Sequence, residues 1–350
     1  MRIRGITSVL LFLFLLTFFP EQVISQGKKG NTVTIAFYNV ENLFDTIDDP
    51  ATDDQEFTPA GSAKWNSLRY KQKLKNLAEA IGQIGNDQAA NPPVLVGLAE
   101  VENRQVIEDL IHTPPLKSAG YRIIHYDSPD KRGIDVALIY KPSVYKVSSS
   151  KANPLKIDDK PDFFTRDILL VTGKLDGQPL AILVNHWPSR SKGETESAPF
   201  RNAAADLCRS VYDSIQKVQP GTGVIILGDF NDDPVNESLM NHLKTVVIAD
   251  SVRTGDLFNP MWKLFEQGSG TLTYKGKWNL FDQIMVSSAL LDKGKRDYSF
   301  SGAGVMKSKM LLEKEGQYAG HPFRSYAGNT YLGGYSDHLP VYIYLTRNLK

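Results

Sequence analysis

Seven short runs rich in β-branched and apolar residues punctuate this chain, and each stops at a polar, turn-like or acidic cluster. They are Val33 to Val40, Val94 to Ala99, Val136 to Tyr140, Leu169 to Thr172, Leu180 to Val184, Val224 to Leu227 and Val341 to Leu345. Runs of this kind read as buried strands. Between them lie helical stretches: Ser67 to Ile84, with Leu68, Leu74, Leu77, Ala78 and Ile81, and Arg201 to Val218, with Leu207, Val211 and Ile215 on one stripe. Strands mixed with helices over one long domain imply an α/β sandwich. The least regular part, residues 298–335, is rich in glycine and aromatic residues and contains Lys307, Lys309, Lys314 and Arg324. It reads as a long excursion before the last strand, either functional or decorative.

Residues 1–25 differ in character: Arg2 and Arg4 precede an apolar stretch from Val9 to Phe19, then Pro20 and the small-residue end Val23-Ile24-Ser25. That layout is expected of a secretory signal peptide, whose removal leaves residues 26–350 as one exported domain, periplasmic or extracellular. The apolar stretch is about a dozen residues, short of the roughly 20 a membrane-spanning helix needs, so no stable span is expected in the mature chain. Cys208 is the only cysteine, which excludes an intrachain disulfide or a thiolate metal cluster and leaves stability to the core. With 41% hydrophobic and 23% charged residues the composition is that of an ordinary globular protein. Once Arg2, Arg4 and Glu21 are set aside, basic and acidic side chains balance, so no global basic field advertises nucleic acid.

Polar residues suited to metal or phosphate stand at the ends of the expected strands, where a sheet holds side chains rigidly over a cleft. Val224 to Leu227 runs into Gly228-Asp229-Phe230-Asn231, and in extended backbone the spacing sends Asp229 and Asn231 to one face. An Asx-rich turn after a strand is spelled the same way. Ser336-Asp337-His338-Leu339-Pro340 opens the last strand with a carboxylate beside an imidazole, a pairing that a capped strand entry would also explain. Asn185-His186-Trp187-Pro188-Ser189-Arg190 follows a strand with two groups suited to phosphate oxygens. Glu100 emerges from a nearly pure apolar strand, as a ligand for a hard divalent cation would, and Asn39-Val40-Glu41-Asn42 repeats the arrangement. Of the two acids, Glu100 ranks above Glu41 as a ligand.

Taken in order, Tyr38-Asn39-Val40-Glu41-Asn42, Leu98-Ala99-Glu100-Val101, Arg132-Gly133-Ile134-Asp135-Val136-Ala137, Asn185-His186-Trp187-Pro188, Gly228-Asp229-Phe230-Asn231, Phe281-Asp282-Gln283-Ile284 and Ser336-Asp337-His338-Leu339-Pro340 resemble the endonuclease/exonuclease/phosphatase superfamily. It includes DNase I-like nucleases, abasic-site endonucleases, sphingomyelinases and inositol-polyphosphate phosphatases. The resemblance spans residues 33 to 346, and its weight lies in the ordered set rather than in any one motif. It implies a DNase I-like four-layer α/β sandwich, with two central, mainly antiparallel sheets flanked by helices. It also implies roles. Glu100 is the main metal ligand, with Asn39, Glu41 and Asp337 at or near the metal. Asp229 orients or deprotonates the attacking water, and Asn231 fixes the phosphate or that water. His186 and His338 flank the phosphoryl group, Asp282 orients His338, and Asp135 does the same for His186. Arg132, Asp135 and Arg190 lie on the phosphate or substrate side.

The implied enzyme is a hydrolase of phosphate esters that uses a divalent metal, Mg²⁺ first and Mn²⁺ or Ca²⁺ next, and activates water directly. Export favours a nuclease acting on DNA or RNA as a monomer. Any surface tracking the backbone must then be local, formed by Arg132, Arg190, Lys192 and the Lys307 to Arg324 stretch, with Tyr318, Phe323 and Tyr326 stacking on bases. A phosphatase or diesterase of a small ester (an inositol phosphate, a nucleotide or a phospholipid headgroup) would share every catalytic residue. A non-catalytic binding protein would be expected to lack a ligand or a histidine, and here every expected position is filled.

Overall fold

The computed structural model describes residues 32–89, 92–157, 159–191, 193–292, 294 and 297–347. The expected signal peptide and Lys192 lie outside the described residues. Among the described residues no helix is long and apolar enough to cross a membrane.

Two large sheets form the centre. The first contains β1 (Thr32–Leu43), β2 (Leu95–Val101), β3 (Arg122–His125), β4 (Asp135–Tyr140), β14 (Tyr298–Val305) and β17 (Val341–Arg347), in the order β14-β17-β1-β2-β4-β3. The second contains β5 (Tyr145–Asn153), β6 (Ile168–Leu175), β7 (Gln178–His186), β8 (Gly223–Asp229), β9 (Thr245–Val246), β10 (Leu257–Phe258) and β13 (Asp282–Ser287), in the order β5-β6-β7-β8-β13-β10-β9. Most neighbours are antiparallel; β1 with β2, β7 with β8 and β9 with β10 are parallel. Two hairpins, β11 (Leu272–Tyr274) with β12 (Lys277–Asn279) and β15 (Tyr326–Ala327) with β16 (Thr330–Tyr331), stand outside the sheets. The main helices are α1 (Ser67–Gln83), α2 (Arg104–His112), α3 (Glu194–Val218) and the short α4 (Met261–Glu266).

Alternation along the strands produces four layers. Ile35 and Phe37 of β1 point into a core shared with Ile225 and Leu227 of β8, between the sheets. Their neighbours Ala36, Tyr38 and Val40 point the other way, onto Leu77 and Ile81 of α1 and Ile107 of α2. In the second sheet Val224 and Ile226 turn outward onto Ala205 and Tyr212 of α3. Successive side chains of a strand face opposite sides, so a strand covered on both faces must be apolar throughout. Gly97 is where the sheets approach closely: a Cβ there would run into the Leu227 Cδ1 of the facing sheet.

Several elements differ from the sequence expectation: β3, α2 and the fully buried β13 lie outside the runs read as strands and helices, and three others differ in extent or kind. The helix expected from Arg201 begins at Glu194, and Pro199, its sixth residue, gives no N–H to the Thr195 carbonyl, an interruption that hides the first turns from a reading of periodicity. β5 is an edge strand with polar, half-exposed faces, which leaves no apolar run to read. The stretch expected to be irregular from Tyr298 opens with β14, paired along β17, its β character masked by Gly302 and Gly304.

Candidate active site

Strand register brings the motifs together. His186 ends β7, Asp229 ends β8 and Asp282 begins β13; His186 is paired with Asp229, and Asp229 with Asp282, so the three make one row along the edge of the second sheet. The first sheet supplies the facing group. Asn39 lies beside Ala99, and between Ala99 and Val101 β2 gains one residue relative to β4; the extra residue is Glu100. A bulge of this kind turns a side chain out of the ladder, here into the cleft. Glu41, Asn42, Glu100 and Asn231 all have left-handed backbone, with φ of 49°, 52°, 64° and 50°. Such backbone costs on the order of 1 kcal/mol or more for a non-glycine residue, and it clusters where surrounding structure dictates aim.

The Asn39 amide joins the two sheets, donating to Glu100 Oε1 at 3.2 Å and Asp229 Oδ2 at 3.0 Å, while its Oδ1 accepts the Glu41 N–H at 3.0 Å. Glu100 Oε2 accepts the Asn42 N–H at 3.0 Å. Asp229 Oδ1 accepts the Asn231 N–H at 2.9 Å, and the Asn231 side chain donates to the Trp187 carbonyl at 3.0 Å. Burial, then the neighbouring Asp282, raises the Asp229 pKa.

The two histidines are driven apart. His338 Nδ1 lies 2.7 Å from Asp282 Oδ2, and its Nε2 faces Asp229 Oδ2 at 3.9 Å. Burial opposes charge on this ring, but Asp282, Asp229 and Asp337 outweigh it and hold the pKa well above the ordinary histidine value. His338 is therefore cationic at neutral pH, with Nε2–H as the free donor. His186 Nε2 lies 3.7 Å from Asp229 Oδ2 and 3.9 Å from Glu100 Oε1. Burial, then Arg166, Arg132 and His338, pushes its pKa well below the ordinary value, so it is a neutral imidazole.

The remaining expected residues divide. Asp337 is part-exposed at the mouth, with Oδ1 3.9 Å from His338 Nε2 and Oδ2 4.0 Å from Arg324 Nη2. Arg132 is half-exposed, held by Asp130, and lines a cavity with Glu41 and Asn42. Asp135 does not reach His186: it bonds His125 Nε2 at 2.9 Å and the Ser128 N–H at 2.7 Å, and among the described residues the buried His186 Nδ1 has no hydrogen-bond partner. Arg190 sits behind the Asn231 turn, donating to the Asn231 carbonyl at 2.8 Å and Asp232 Oδ1 at 2.7 Å, pairing with Glu194 and stacking 4.5 Å over Phe281. Glu41 faces Ser325 and Lys73. Arg166 had no place in the sequence reading. It is buried beneath the site, donating to Asp130 Oδ2 at 2.9 Å and the Trp187 carbonyl at 2.7 Å. It precedes β6 as the other site residues adjoin their strands, so the strand-end rule would have found it.

The donor set suits a hard divalent cation, which takes one or two carboxylates and keeps several waters. Glu100 and Asp337 present carboxylates toward solvent, Asp282 Oδ1 is a buried oxygen with no partner among the described residues, and Glu41 and Asp229 add negative charge nearby. Asp229, Asp282 and His338 also offer atoms within 4.8 Å of one another, but the 2.7 Å bond between His338 and Asp282 makes that trio a proton-holding set rather than a cage.

The sequence profile of the Endonuclease/Exonuclease/phosphatase family matches residues 34–347. A sequence comparison with curated proteins finds no match. Among solved structures, the chain is similar to mannosyl-6-phosphatase of Bacteroides thetaiotaomicron, at 16% identity and a TM-score of 0.55, over 90% of this chain and 99% of that one. Truncated TDP2 of Caenorhabditis elegans gives 16% and 0.55 over 91% and 99%, and the human Nocturnin catalytic domain with bound sulfate gives 15% and 0.51 over 90% and 94%. At these identities the likeness establishes the fold, a DNase I-like sandwich.

Proposed function

The chain belongs to the endonuclease/exonuclease/phosphatase family and is a hydrolase of phosphate esters, and from that premise we propose that it is an exported, divalent-metal-dependent nuclease that cleaves phosphodiester bonds by direct attack of water. The observation that carries the diester reading is that the centre opens on two sides. A cavity of about 770 Å³ adjoins Asp337 and is lined by Tyr274, Lys275, Tyr318 and Arg324. A second, of about 250 Å³, adjoins Glu41 and Asn42 and is lined by Phe57, Trp65, Arg132 and Tyr326. A monoester has one substituent to house and a diester has two. Each cavity holds one arginine for a flanking phosphate, and exposed Tyr274 and Tyr318 in the larger and part-exposed Tyr326 in the smaller offer rings on which a base can stack.

Glu100 and Asp337 would hold the cation, with Asn39 positioning Glu100. When bound, the cation neutralises charge that develops on the phosphate oxygens. Asp229, buried and raised in pKa, accepts the proton of the attacking water, and Asn231 fixes that water or a phosphate oxygen. Neutral His186 donates a hydrogen bond to a non-bridging oxygen, and Arg132 stands at the same edge. Cationic His338, oriented by Asp282, delivers its Nε2 proton to the leaving oxygen. No covalent nucleophile is needed.

A phosphatase of small esters is favoured by one feature: in the larger cavity Glu313 and Asp337 stand against Lys275 and Arg324, so it is no strongly basic groove. The deciding experiment is hydrolysis of plasmid DNA, RNA, bis-p-nitrophenyl phosphate and p-nitrophenyl phosphate by the protein with Mg²⁺, Mn²⁺, Ca²⁺ or chelator. Metal-dependent plasmid nicking is expected. Inert nucleic acid with turnover of the monoester would replace the nuclease reading by the phosphatase one.

A further inference from the structure

Three side chains of α1, Arg69, Lys73 and Asn76, lie at i, i+4 and i+7 and so share one helix face. All three grip the segment that leads into the catalytic centre. The Arg69 guanidinium stacks 4.4 Å over the Tyr331 ring and its Nη1 lies 3.4 Å from the Tyr326 hydroxyl. Lys73 Nζ donates to Ser325 Oγ at 2.6 Å and the Tyr335 carbonyl at 2.8 Å, and stands 3.5 Å from Glu41 Oε2. The Asn76 amide donates to the carbonyls of Gly333 at 3.0 Å and Gly334 at 2.7 Å, its own oxygen held by Gln72 at 2.7 Å. The gripped segment closes on itself, with the Tyr335 N–H on the Phe323 carbonyl at 2.6 Å and the Leu332 N–H on the Ser325 carbonyl at 2.8 Å. One residue further, Ser336 Oγ donates to the Asn39 carbonyl at 2.7 Å and accepts the His338 N–H at 3.1 Å.

We infer that Lys73 is a positioning residue for Asp337 and His338, and that Glu41 is its counter-ion and a latch for the loop rather than a ligand of the cation. Glu41 Oε2 accepts the Ser325 N–H at 2.7 Å, so this carboxylate braces the same residue that Lys73 holds. Lys73 is 2% exposed, and its ammonium is engaged by three oxygens. A buried ion pair contributes little net stability compared with apolar side chains of similar volume, because desolvation offsets the attraction. What it adds is direction: three fixed donors pin two points of a loop that apolar packing would leave free to slide.

The inference rests on the reading of Glu100 and Asp337 as holders of the cation. Its test compares Lys73→Met, Glu41→Gln and the double variant, which leaves no unpaired buried charge. In chelator, without metal or substrate, amide hydrogen exchange over residues 323–336 should quicken about ten-fold in Lys73→Met and in the double variant, while α1 and both sheets keep their protection. The double variant should retain the thermal midpoint yet lose about a hundred-fold in kcat on bis-p-nitrophenyl phosphate with KM unchanged, the signature of misplaced groups. Mn²⁺ affinity of the double variant, measured calorimetrically, should equal that of Lys73→Met, since both have lost the latch and only the first has also lost the Glu41 carboxylate. Unchanged exchange in the double variant overturns the latch, and Mn²⁺ binding weaker by about ten-fold or more in the double variant than in Lys73→Met overturns the demotion of Glu41 from ligand to latch. If the wild type turns over no diester, the proposed function fails while the exchange measurement still decides the latch.

Discussion

Opposite displacement of two histidine pKa values separates their tasks at the level of single residues. His338 is held cationic by three carboxylates and His186 is kept neutral by burial beside Arg166 and Arg132. Asp229→Asn and His338→Gln should each lower kcat by about 10²- to 10⁴-fold with little change in thermal midpoint. Activity of either variant within a factor of two of the wild type would remove its assigned role. Asp167 gives a cleaner pH signal away from the centre. Its carboxyl is pushed up to about 6, by burial and then by Asp135, and its Oδ1 is buried with no hydrogen-bond partner among the described residues. The unfolded value is about 3.9, so the folded state binds the proton more tightly. Stability contributed by the protonated form is present below about pH 4 and is lost as pH rises through about 6. Asp167→Asn should therefore melt above the wild type at pH 7.5, and the difference should close toward pH 4. A difference independent of pH would show that the carboxyl is not strained. Glu100, Asp229, His186 and His338 were legible as strand-end residues, and Asp282 only through the family resemblance. That Asp135 serves His125 was not, because pairing of β3 with β4 sets that contact and neither strand's own spelling specifies it.

At the level of elements, the site depends on two irregularities in otherwise regular strands: the Glu100 bulge in β2, and the left-handed backbone of Glu41 and Asn42 in β1, just after Asn39 and Val40. In each case one strand of a pair runs through more residues than its partner between the same two rungs, which aims side chains into the cleft instead of along the sheet. The close approach of the two sheets at Gly97 is the other requirement. Gly97→Ala would drive a methyl into the Leu227 Cδ1, with Phe37 and Val184 also within 3.1 and 3.2 Å of the added carbon. It should destabilise the protein by about 1–3 kcal/mol, read as a lower urea midpoint at unchanged slope. An unaltered midpoint would mean that the sheets part at little cost. Most buried strands were readable from their apolar runs, but buried β13 was not, since it opens on Asp282 and Gln283, and the edge strands β5 and β14 bury too little to need an apolar run.

For the whole molecule, charge balance and the two-sided cleft make separate predictions. With Lys275 and Arg324 in the larger cavity and Arg132 in the smaller, cleavage of single-stranded nucleic acid should weaken with salt at a slope of about −0.7 per neutralised phosphate, so about −2 in all for KM-limited rates. A much steeper slope would reveal a basic tract that neither cavity contains. If residues 1–25 are a signal peptide, the protein secreted by its host should begin near Gln26 by mass, and an intact Met1 in the exported fraction would refute removal. The sequence by itself determined most of the central strands, their two-sided burial and most of the chemically capable residues, because apolar runs and strand-end polarity are local properties. Only the tertiary structure decided which of those residues meet. Register across β7, β8 and β13, the extra residue in β2 and the grip of α1 on residues 325–335 join positions far apart in the chain, and the free energy that selects them comes from packing between elements rather than from any one segment.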